Sequence, residues 1–283
     1  MRWKLGGRNR RSPDQFMHVR WGCRFRVPGR ISIMRVSKKR LAVVTGGNRG
    51  LGYETSRQLA AKGLKVVLTS RDQRKGTLAA QKLGKEGLDV VSYPLDVTDP
   101  ESMRDLVKQL KRDFGRVDVL VNNAAVLLDT TVKNHYDERD FGPGEGSVLT
   151  VTRSTMEETM SVNVYGPLLL SQLIVPMMKD LKYGRIVNVS SNFGQLSNIA
   201  GQWPAYRISK VALNAVTGVF ADEIKGYNIL INSADPGWAK TDMGGPGAPL
   251  APEEAADTIV WLSTLPDDGP SGKFFRKRRV ITW

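Results

Sequence analysis

"TGGNRGLG", residues 45–52, decides the fold, because it follows the apolar run "LAVVT" and opens a helical pattern. Its glycines Gly46, Gly50 and Gly52 have the spacing that allows a tight turn, a close approach of backbone to a pyrophosphate, and packing of helix against strand. The N-terminus of the helix then faces the bound anion. Strand, glycine turn and helix together predict a dinucleotide-binding unit at the start of the domain.

Outward from this turn, short apolar runs alternate with helical patterns along the rest of the chain. The runs predict strands at 41–45, 65–70, 89–96, 117–123, 184–191 and 228–235. Their apolar cores are continuous, which is typical of a parallel sheet covered on both faces. The alternation predicts an α/β fold with a doubly wound parallel sheet, a Rossmann-type three-layer α/β/α architecture, in a single domain over residues 39–283.

Several of the predicted helices have recognisable starts. Asp99 is expected to cap a helix that has Pro100 at its first position. Ser154 and Glu157 have the spacing of a capping box, and Pro252 opens a further helical pattern.

The positive charge of the chain is concentrated at its N-terminus. The formal net charge is +14, of which residues 1–40 carry +12, leaving +2 for residues 41–283. A nearly neutral body does not favour nucleic acid as a partner. Because no run of about 18 apolar residues occurs, we also expect no membrane span.

The basic leader, residues 1–38, shows neither helical nor strand periodicity. Three interpretations stay open: an organelle-targeting segment, a disordered basic arm, or a natural start at Met34 with residues 1–33 as a start-site artefact. We favour the start at Met34 and expect a cytoplasmic protein.

Scarce residue types restrict the chemistry. The only cysteine, Cys23, and one of the two histidines, His18, lie in the leader, and His135 lies in a polar insertion at about 127–153. A thiol nucleophile, a Ser-His-Asp triad and a metal site are therefore not expected in the body. The insertion follows the fourth predicted strand, so it is either a tolerated surface loop or a flap over a ligand site at the strand ends.

"PAYRISK", residues 204–210, places Tyr206 and Lys210 four residues apart at the start of a predicted helix. The spacing puts both side chains on one face. A free phenol, with a reference pKa of about 10, is a poor partner for proton transfer near neutral pH. An ammonium group beside a phenol stabilises the phenolate and lowers the phenol pKa, so the pair is a candidate proton donor with its tuning group.

The end of the second predicted strand indicates which dinucleotide is bound. A carboxylate at this position, 18 to 19 residues beyond Gly52, would bind the ribose 2′-hydroxyl of NAD. The chain instead has Ser70 and Arg71, and Arg49 lies in the glycine turn. Two guanidinium groups favour a 2′-phosphate, so NADP(H) is the predicted cofactor.

Taken together, these motifs resemble the short-chain dehydrogenase/reductase family over residues 40–283. "TGGNRGLG" is similar to the family's glycine pattern, "LVNNAA" to its Asn-Asn-Ala-Gly strand end, and "DPGWAKT" to its Pro-Gly segment near the nicotinamide. Ala125 stands where glycine is usual, and Asp235 stands where a small or polar residue is more common. Within the family, the chain looks most like the NADPH-dependent carbonyl reductase group.

The resemblance implies a catalytic set. Tyr206 would be the proton donor, and Lys210 would both tune it and bind the nicotinamide ribose. Ser191 would hydrogen-bond the substrate carbonyl, with Ser190 as the alternative register, and Asn163 would hold a water of the proton relay.

The same resemblance implies the cofactor contacts. Asp96 would contact the adenine, and Asn123 would lie on the cofactor side of its strand end. The predicted cofactor-binding residues are Gly46, Asn48, Arg49, Gly50, Leu51, Gly52, Ser70, Arg71, Asp96, Val97, Asn123, Tyr206, Lys210, Pro236, Gly237 and Thr241.

The expected activity is NADPH-dependent reduction of a ketone or aldehyde to an alcohol, with a small-molecule carbonyl or alcohol as substrate and no metal. The alternative is an NADP(H)-binding regulatory or scaffolding protein without turnover. The resemblance is compatible with a monomer or a homo-oligomer.

Overall fold

The computed structural model of the chain describes residues 39–129 and 146–283. The basic leader and most of the 127–153 insertion lie outside the described residues. The described strands are β1 (Leu41–Val44), β2 (Lys65–Ser70), β3 (Val90–Pro94), β4 (Val119–Asn122), β5 (Gly184–Val189), β6 (Ile229–Asp235), β7 (Phe274–Arg276) and β8 (Arg279–Ile281).

These strands form one sheet in the order β3-β2-β1-β4-β5-β6-β7-β8. All neighbouring strands are parallel except β7 and β8, which are antiparallel. The predicted doubly wound parallel sheet is confirmed, with an antiparallel edge added. The strand order reverses direction between β1 and β4, and this reversal is where ligands bind in such sheets.

The hairpin of β7 and β8 is the part of the sheet that the sequence patterns missed. Each of its strands has only three residues. The turn between them consists of Lys277 and Arg278, both with positive φ (47° and 59°). Hairpin turns with two positive φ values usually use Asn and Gly, so the basic pair gave no turn signal.

The helices lie between the strands along the chain. They are α1 (Gly50–Ala61), α2 (Gln73–Lys85), α3 (Pro100–Asp113), α4 (Arg153–Met160), α5 (Gly166–Leu181), α6 (Pro204–Glu223) and α7 (Pro252–Ser263).

The predicted helix starts are confirmed for α3 and α7 and wrong for α4. The Asp99 carboxylate accepts the Glu101 N–H at 2.9 Å, with Pro100 at the first helical position. For α4 the cap is Thr152, whose hydroxyl accepts the Thr155 N–H at 3.1 Å. Ser154 already lies inside the helix, and its hydroxyl donates to Glu158 one turn later.

Alternate residues of β1 enter the two layers of the core. Leu41 and Val43 pack with the apolar faces of α3 and α5, whereas Ala42 and Val44 pack with those of α1 and α7. Both faces of the strand are therefore buried, which explains its continuous apolar run. Each fully buried aliphatic side chain stabilises the fold by roughly 1.5–3 kcal/mol, so the sheet is a rigid support for groups at its edge.

A π-helical turn, Ser161–Tyr165, joins α4 to α5 into one continuous helix. By length and composition this helix, Arg153–Leu181, could cross a membrane, since it contains an 18-residue window with a mean hydropathy of 1.3. Core helices meet the same criterion, and Leu170, Ile174 and Met178 of α5 are fully buried in the core. The expected lack of a membrane span stays a prediction.

Candidate active site

A cleft of about 610 Å³ opens beyond the carboxyl ends of the central strands. Every predicted cofactor-binding residue lines it. Three of the four predicted catalytic residues, Ser191, Tyr206 and Lys210, line it too, while Asn163 is buried outside its lining. The fold therefore brings together residues that are up to about two hundred positions apart in the sequence.

The glycine positions of the turn do not suit residues that carry a Cβ. Gly46 and Gly50 have positive φ (63° and 53°). A Cβ added to Gly52 would lie 2.4 Å from the Gly46 carbonyl oxygen, closer than real Cβ atoms come. Asn123 fixes the turn from β4, since its amide donates to the Thr45 carbonyl at 2.8 Å. The N-terminus of α1 is thus held open to the cleft, as binding of a pyrophosphate requires.

Basic groups gather at the end of the cleft that is formed by the glycine turn and β2. Arg49, Arg71 and Lys75 all line it. The guanidinium of Arg49 is paired with the Asp242 carboxylate, and both side chains are exposed. Lys75, in the first turn of α2, was missed by sequence reasoning, although its position four residues after Arg71 on a helix start could have identified it. The three cations are suited to an anionic group larger than a pyrophosphate alone.

Asp96 lies near these cations, after β3. Its carboxylate accepts hydrogen bonds from the Thr98 N–H at 2.8 Å and the Thr98 hydroxyl at 2.7 Å. Burial works against its charged form, but the bonds from Thr98 and the charge of Arg71 hold the pKa of Asp96 below its usual value. Asp96 therefore stays an anionic acceptor at neutral pH.

Tyr206 and Lys210 lie one turn apart on α6, and both are buried. The Lys210 Nζ is 5.3 Å from the centre of the Tyr206 ring and donates to the Val189 carbonyl at 2.8 Å. Burial lowers the pKa of Lys210 from 10.5 to about 7. The ammonium is thus close enough to act on the phenol, and its charge responds to whatever binds beside it.

Both serines after β5 line the cleft, and they differ in their exposure. Ser191 is partly exposed and precedes a short 3₁₀ turn, where its hydroxyl accepts the Phe193 N–H at 3.2 Å. Ser190 is buried, with its hydroxyl 3.5 Å from the backbone carbonyl of Lys210.

Asn163 lies in the π-helical turn and connects two parts of the site. Its amide oxygen accepts the Val126 N–H at 2.9 Å. Its two donors reach the Val126 carbonyl at 2.9 Å and the Ser209 hydroxyl at 3.0 Å. Since both side-chain donors are used within the protein, Asn163 ties the segment after β4 to the helix that carries Tyr206. Departures from α-helical geometry of this kind are frequent at functional sites.

Aromatic side chains pack beside the Tyr206 ring and line the cleft. Phe193 stacks on Trp203, with ring centres 5.1 Å apart, and meets the Tyr206 ring edge-on at 6.2 Å. Trp238 and Met243 also line the cleft. Sequence reasoning missed these residues, because no local spacing predicts which aromatic rings meet across loops.

The family model described as "short chain dehydrogenase" matches residues 40–248. The chain belongs to the short-chain dehydrogenase family.

Named relatives cover nearly all of the chain. The chain is 33% identical to a (+)-neomenthol dehydrogenase of Capsicum annuum, over 87% of this chain and 98% of that protein. It is 32% identical to the Bos taurus protein named "Carbonyl reductase [NADPH] 1", over 86% of this chain and 98% of that protein. Both are whole-length similarities, so the chain resembles carbonyl reductases over the entire family domain.

A solved structure agrees with these sequence matches. The NADPH-bound carbonyl reductase from chicken fatty liver has a TM-score of 0.74 and 30% identity, and the match covers 87% of this chain and 100% of that one. Within residues 39–129 and 146–283, no group of three or more His, Cys, Asp or Glu side chains is placed to hold a metal ion.

Proposed function

We propose that this short-chain dehydrogenase is an NADPH-dependent reductase of ketones or aldehydes. The observation that carries the proposal is a single cleft that joins two sites. At one end, the glycine turn and three cations suit a phosphorylated dinucleotide; at the other, Tyr206, Lys210 and Ser191 surround a space for a carbonyl group. The names of the bovine and chicken relatives support the same reading.

The residues fit the cofactor. A turn that excludes any Cβ at Gly52 allows backbone N–H groups to approach phosphate oxygens. Ser70, at the end of β2, offers a hydroxyl in place of a carboxylate, and Arg71 follows it. A 2′-phosphate would meet the cations Arg71 and Lys75 there, with a hydroxyl and not a carboxylate at the end of β2 itself, so NADPH is favoured over NADH.

NADPH, when bound, would supply the hydride that reduces the carbonyl carbon. The Tyr206 hydroxyl donates its proton to the developing alkoxide. Ser191 donates a hydrogen bond to the same oxygen and stabilises its growing charge. In its protonated form Lys210, whose Nζ lies 5.3 Å from the centre of the Tyr206 ring, stabilises the tyrosinate that remains until solvent returns a proton.

The lining of the cleft includes the large apolar side chains of Phe193, Trp203, Trp238 and Met243, which favours uncharged, apolar carbonyl compounds. Aromatic rings bury large apolar surfaces and give a ligand pocket its shape. A carboxylate beside the substrate carbonyl would be desolvated against these rings at considerable cost.

The test is a substrate screen that follows the loss of NADPH absorbance. The panel should contain an apolar cyclic ketone, an aromatic aldehyde and a charged 2-oxo acid, each with NADPH and NADH. We expect turnover of the first two with NADPH and little turnover of the acid or with NADH. Tight NADPH binding without turnover of any carbonyl compound would support the regulatory or scaffolding alternative instead.

A further inference from the structure

The helix that carries Tyr206 and Lys210 begins in an unusual way. Trp203, just before α6, has a left-handed backbone (φ 48°, ψ 50°), as does Gln202 before it (φ 63°). The indole of a tryptophan has no oxygen with which to cap a helix, and Pro204 has no N–H. The N–H groups of Ala205 and Tyr206 therefore need acceptors from elsewhere in the chain.

Asp129 supplies both acceptors from a distance in the sequence. One carboxylate oxygen accepts the Ala205 N–H at 2.8 Å, and the other accepts the Tyr206 N–H at 2.9 Å. The carbonyl of Gly146 accepts the Trp203 N–H at 2.8 Å. Asp129 and Gly146 are the described residues nearest to each end of the undescribed stretch within the predicted insertion. These two residues of the insertion thus hold the start of α6: Asp129 bonds its first turn, and Gly146 bonds the residue just before it.

Asp129 is more than a surface cap. Burial raises the pKa of Asp129, against the lowering effect of its two backbone hydrogen bonds. A carboxylate kept partly buried at a helix N-terminus is stabilised there by the N–H groups and the helix dipole. Since the bonded N–H belongs to Tyr206 itself, a shift of the carboxylate shifts the backbone from which the phenol projects.

We propose that Asp129, together with the Gly146 carbonyl, is a positioning device for Tyr206: the insertion after β4 fixes the first turn of α6 and thereby the direction of the Tyr206 hydroxyl. The effect that this positioning would have on kcat rests on the proposed reductase function. The proposed role differs from both earlier interpretations of the insertion, a tolerated surface loop and a flap. In the structure, Asp129 of the insertion bonds directly to the helix that carries Tyr206.

The test uses Asp129→Ala and Asp129→Asn, with Asp99→Ala as the matched control. Asp99 is also a carboxylate cap, on α3, and does not line the cleft. Hydrogen exchange measured by mass spectrometry should show peptides covering 203–210 exchanging about fivefold faster or more in Asp129→Ala, as expected for a lost cap. The control should change exchange only near the start of α3.

Kinetics then separate positioning from capping. We expect kcat to fall roughly tenfold in Asp129→Ala and less in Asp129→Asn, which keeps one acceptor oxygen, while the NADPH dissociation constant stays within about twofold. The control should keep the wild-type kcat. Unchanged hydrogen exchange at 203–210 in Asp129→Ala would overturn the proposal that Asp129 fixes the start of α6. Faster exchange with an unchanged kcat would show that Asp129 caps the helix without positioning Tyr206 for catalysis. If the wild type binds NADPH but reduces no carbonyl compound, the reductase proposal fails. Hydrogen exchange at 203–210 then still decides whether Asp129 fixes the start of α6.

Discussion

Replacing Lys210 by Met should change how the stability of the cofactor-free protein depends on pH. The Lys210 side chain is 2% exposed, and its Nζ is held by a backbone carbonyl. Burial lowers its pKa from 10.5 to about 7. Between these two values the unfolded chain binds a proton that the folded chain does not. The wild type should therefore gain stability as the pH rises through this range.

The size of the effect follows from the pKa difference. One pKa unit corresponds to about 1.36 kcal/mol, so the full shift corresponds to roughly 5 kcal/mol. Between about pH 7.5 and about pH 9.5 the expected gain is roughly 2 to 3 kcal/mol, because the unfolded lysine is still largely protonated there. Lys210→Met keeps a long apolar stem without the charge, so this contribution should vanish.

The assay is urea unfolding, followed by tryptophan fluorescence at several pH values without cofactor. The quantity to compare is the difference in unfolding free energy between wild type and Lys210→Met, since other titrating groups affect both proteins alike. Lys62→Met, which replaces an exposed lysine after α1, is the control and should keep the wild-type pH dependence. Parallel curves for wild type and Lys210→Met would refute the reasoning that burial penalises the charge of Lys210.

Three further substitutions test other parts of the account. Arg71→Asp should weaken NADPH binding at least tenfold or so and shift preference toward NADH, because it replaces a charge-assisted contact by repulsion; equal preference before and after would contradict the phosphate site. Gly52→Ala should lower NADPH affinity in a binding titration, since its Cβ would lie 2.4 Å from a carbonyl oxygen, whereas Gly84→Ala, with open space around it, should not. Burial raises the pKa of Asp235, so its contribution to stability is present at low pH and is lost as the pH rises through the folded pKa. The unfolding free energy of wild type relative to Asp235→Asn should accordingly fall as the pH rises above 3.8, the ordinary pKa of an aspartate. A pH-independent difference in urea unfolding would argue against a buried, costly carboxylate.

The sequence predicted the parts of the fold that depend on local pattern. The six parallel strands predicted from apolar runs appear within a few residues of their expected bounds. The inner strands are buried on both faces and so leave continuous apolar runs, whereas the edge strand β3 is only partly buried. The strands β7 and β8 were not predicted, because three residues on either side of Lys277 and Arg278 are too few to show a periodic pattern. The start of α4 was placed wrongly because Thr152 and Ser154 are both good caps, and only the backbone decides between them.

The candidate site likewise contains residues that the sequence could predict and residues that only the structure reveals. Tyr206, Lys210 and the glycine turn belong to compact motifs, so their positions followed from spacing. Asp129 bonds Ala205, 76 positions away, and lies in a polar stretch without a pattern. Asp235 stands where a small or polar residue is more common, and only the structure shows what it contacts. Its carboxylate accepts the Gly237 N–H at 2.9 Å and lies 3.5 Å from the Arg276 side chain.

Steady-state reduction of an apolar ketone by wild type and Tyr206→Phe, with NADPH binding measured in parallel, tests the central claim most directly. Removing the hydroxyl removes the proton donor but leaves the ring and the cofactor contacts. We predict that kcat falls by roughly a hundredfold or more, with NADPH affinity nearly unchanged. Turnover by Tyr206→Phe close to that of the wild type would contradict the assignment of Tyr206 as proton donor and the mechanism built on it.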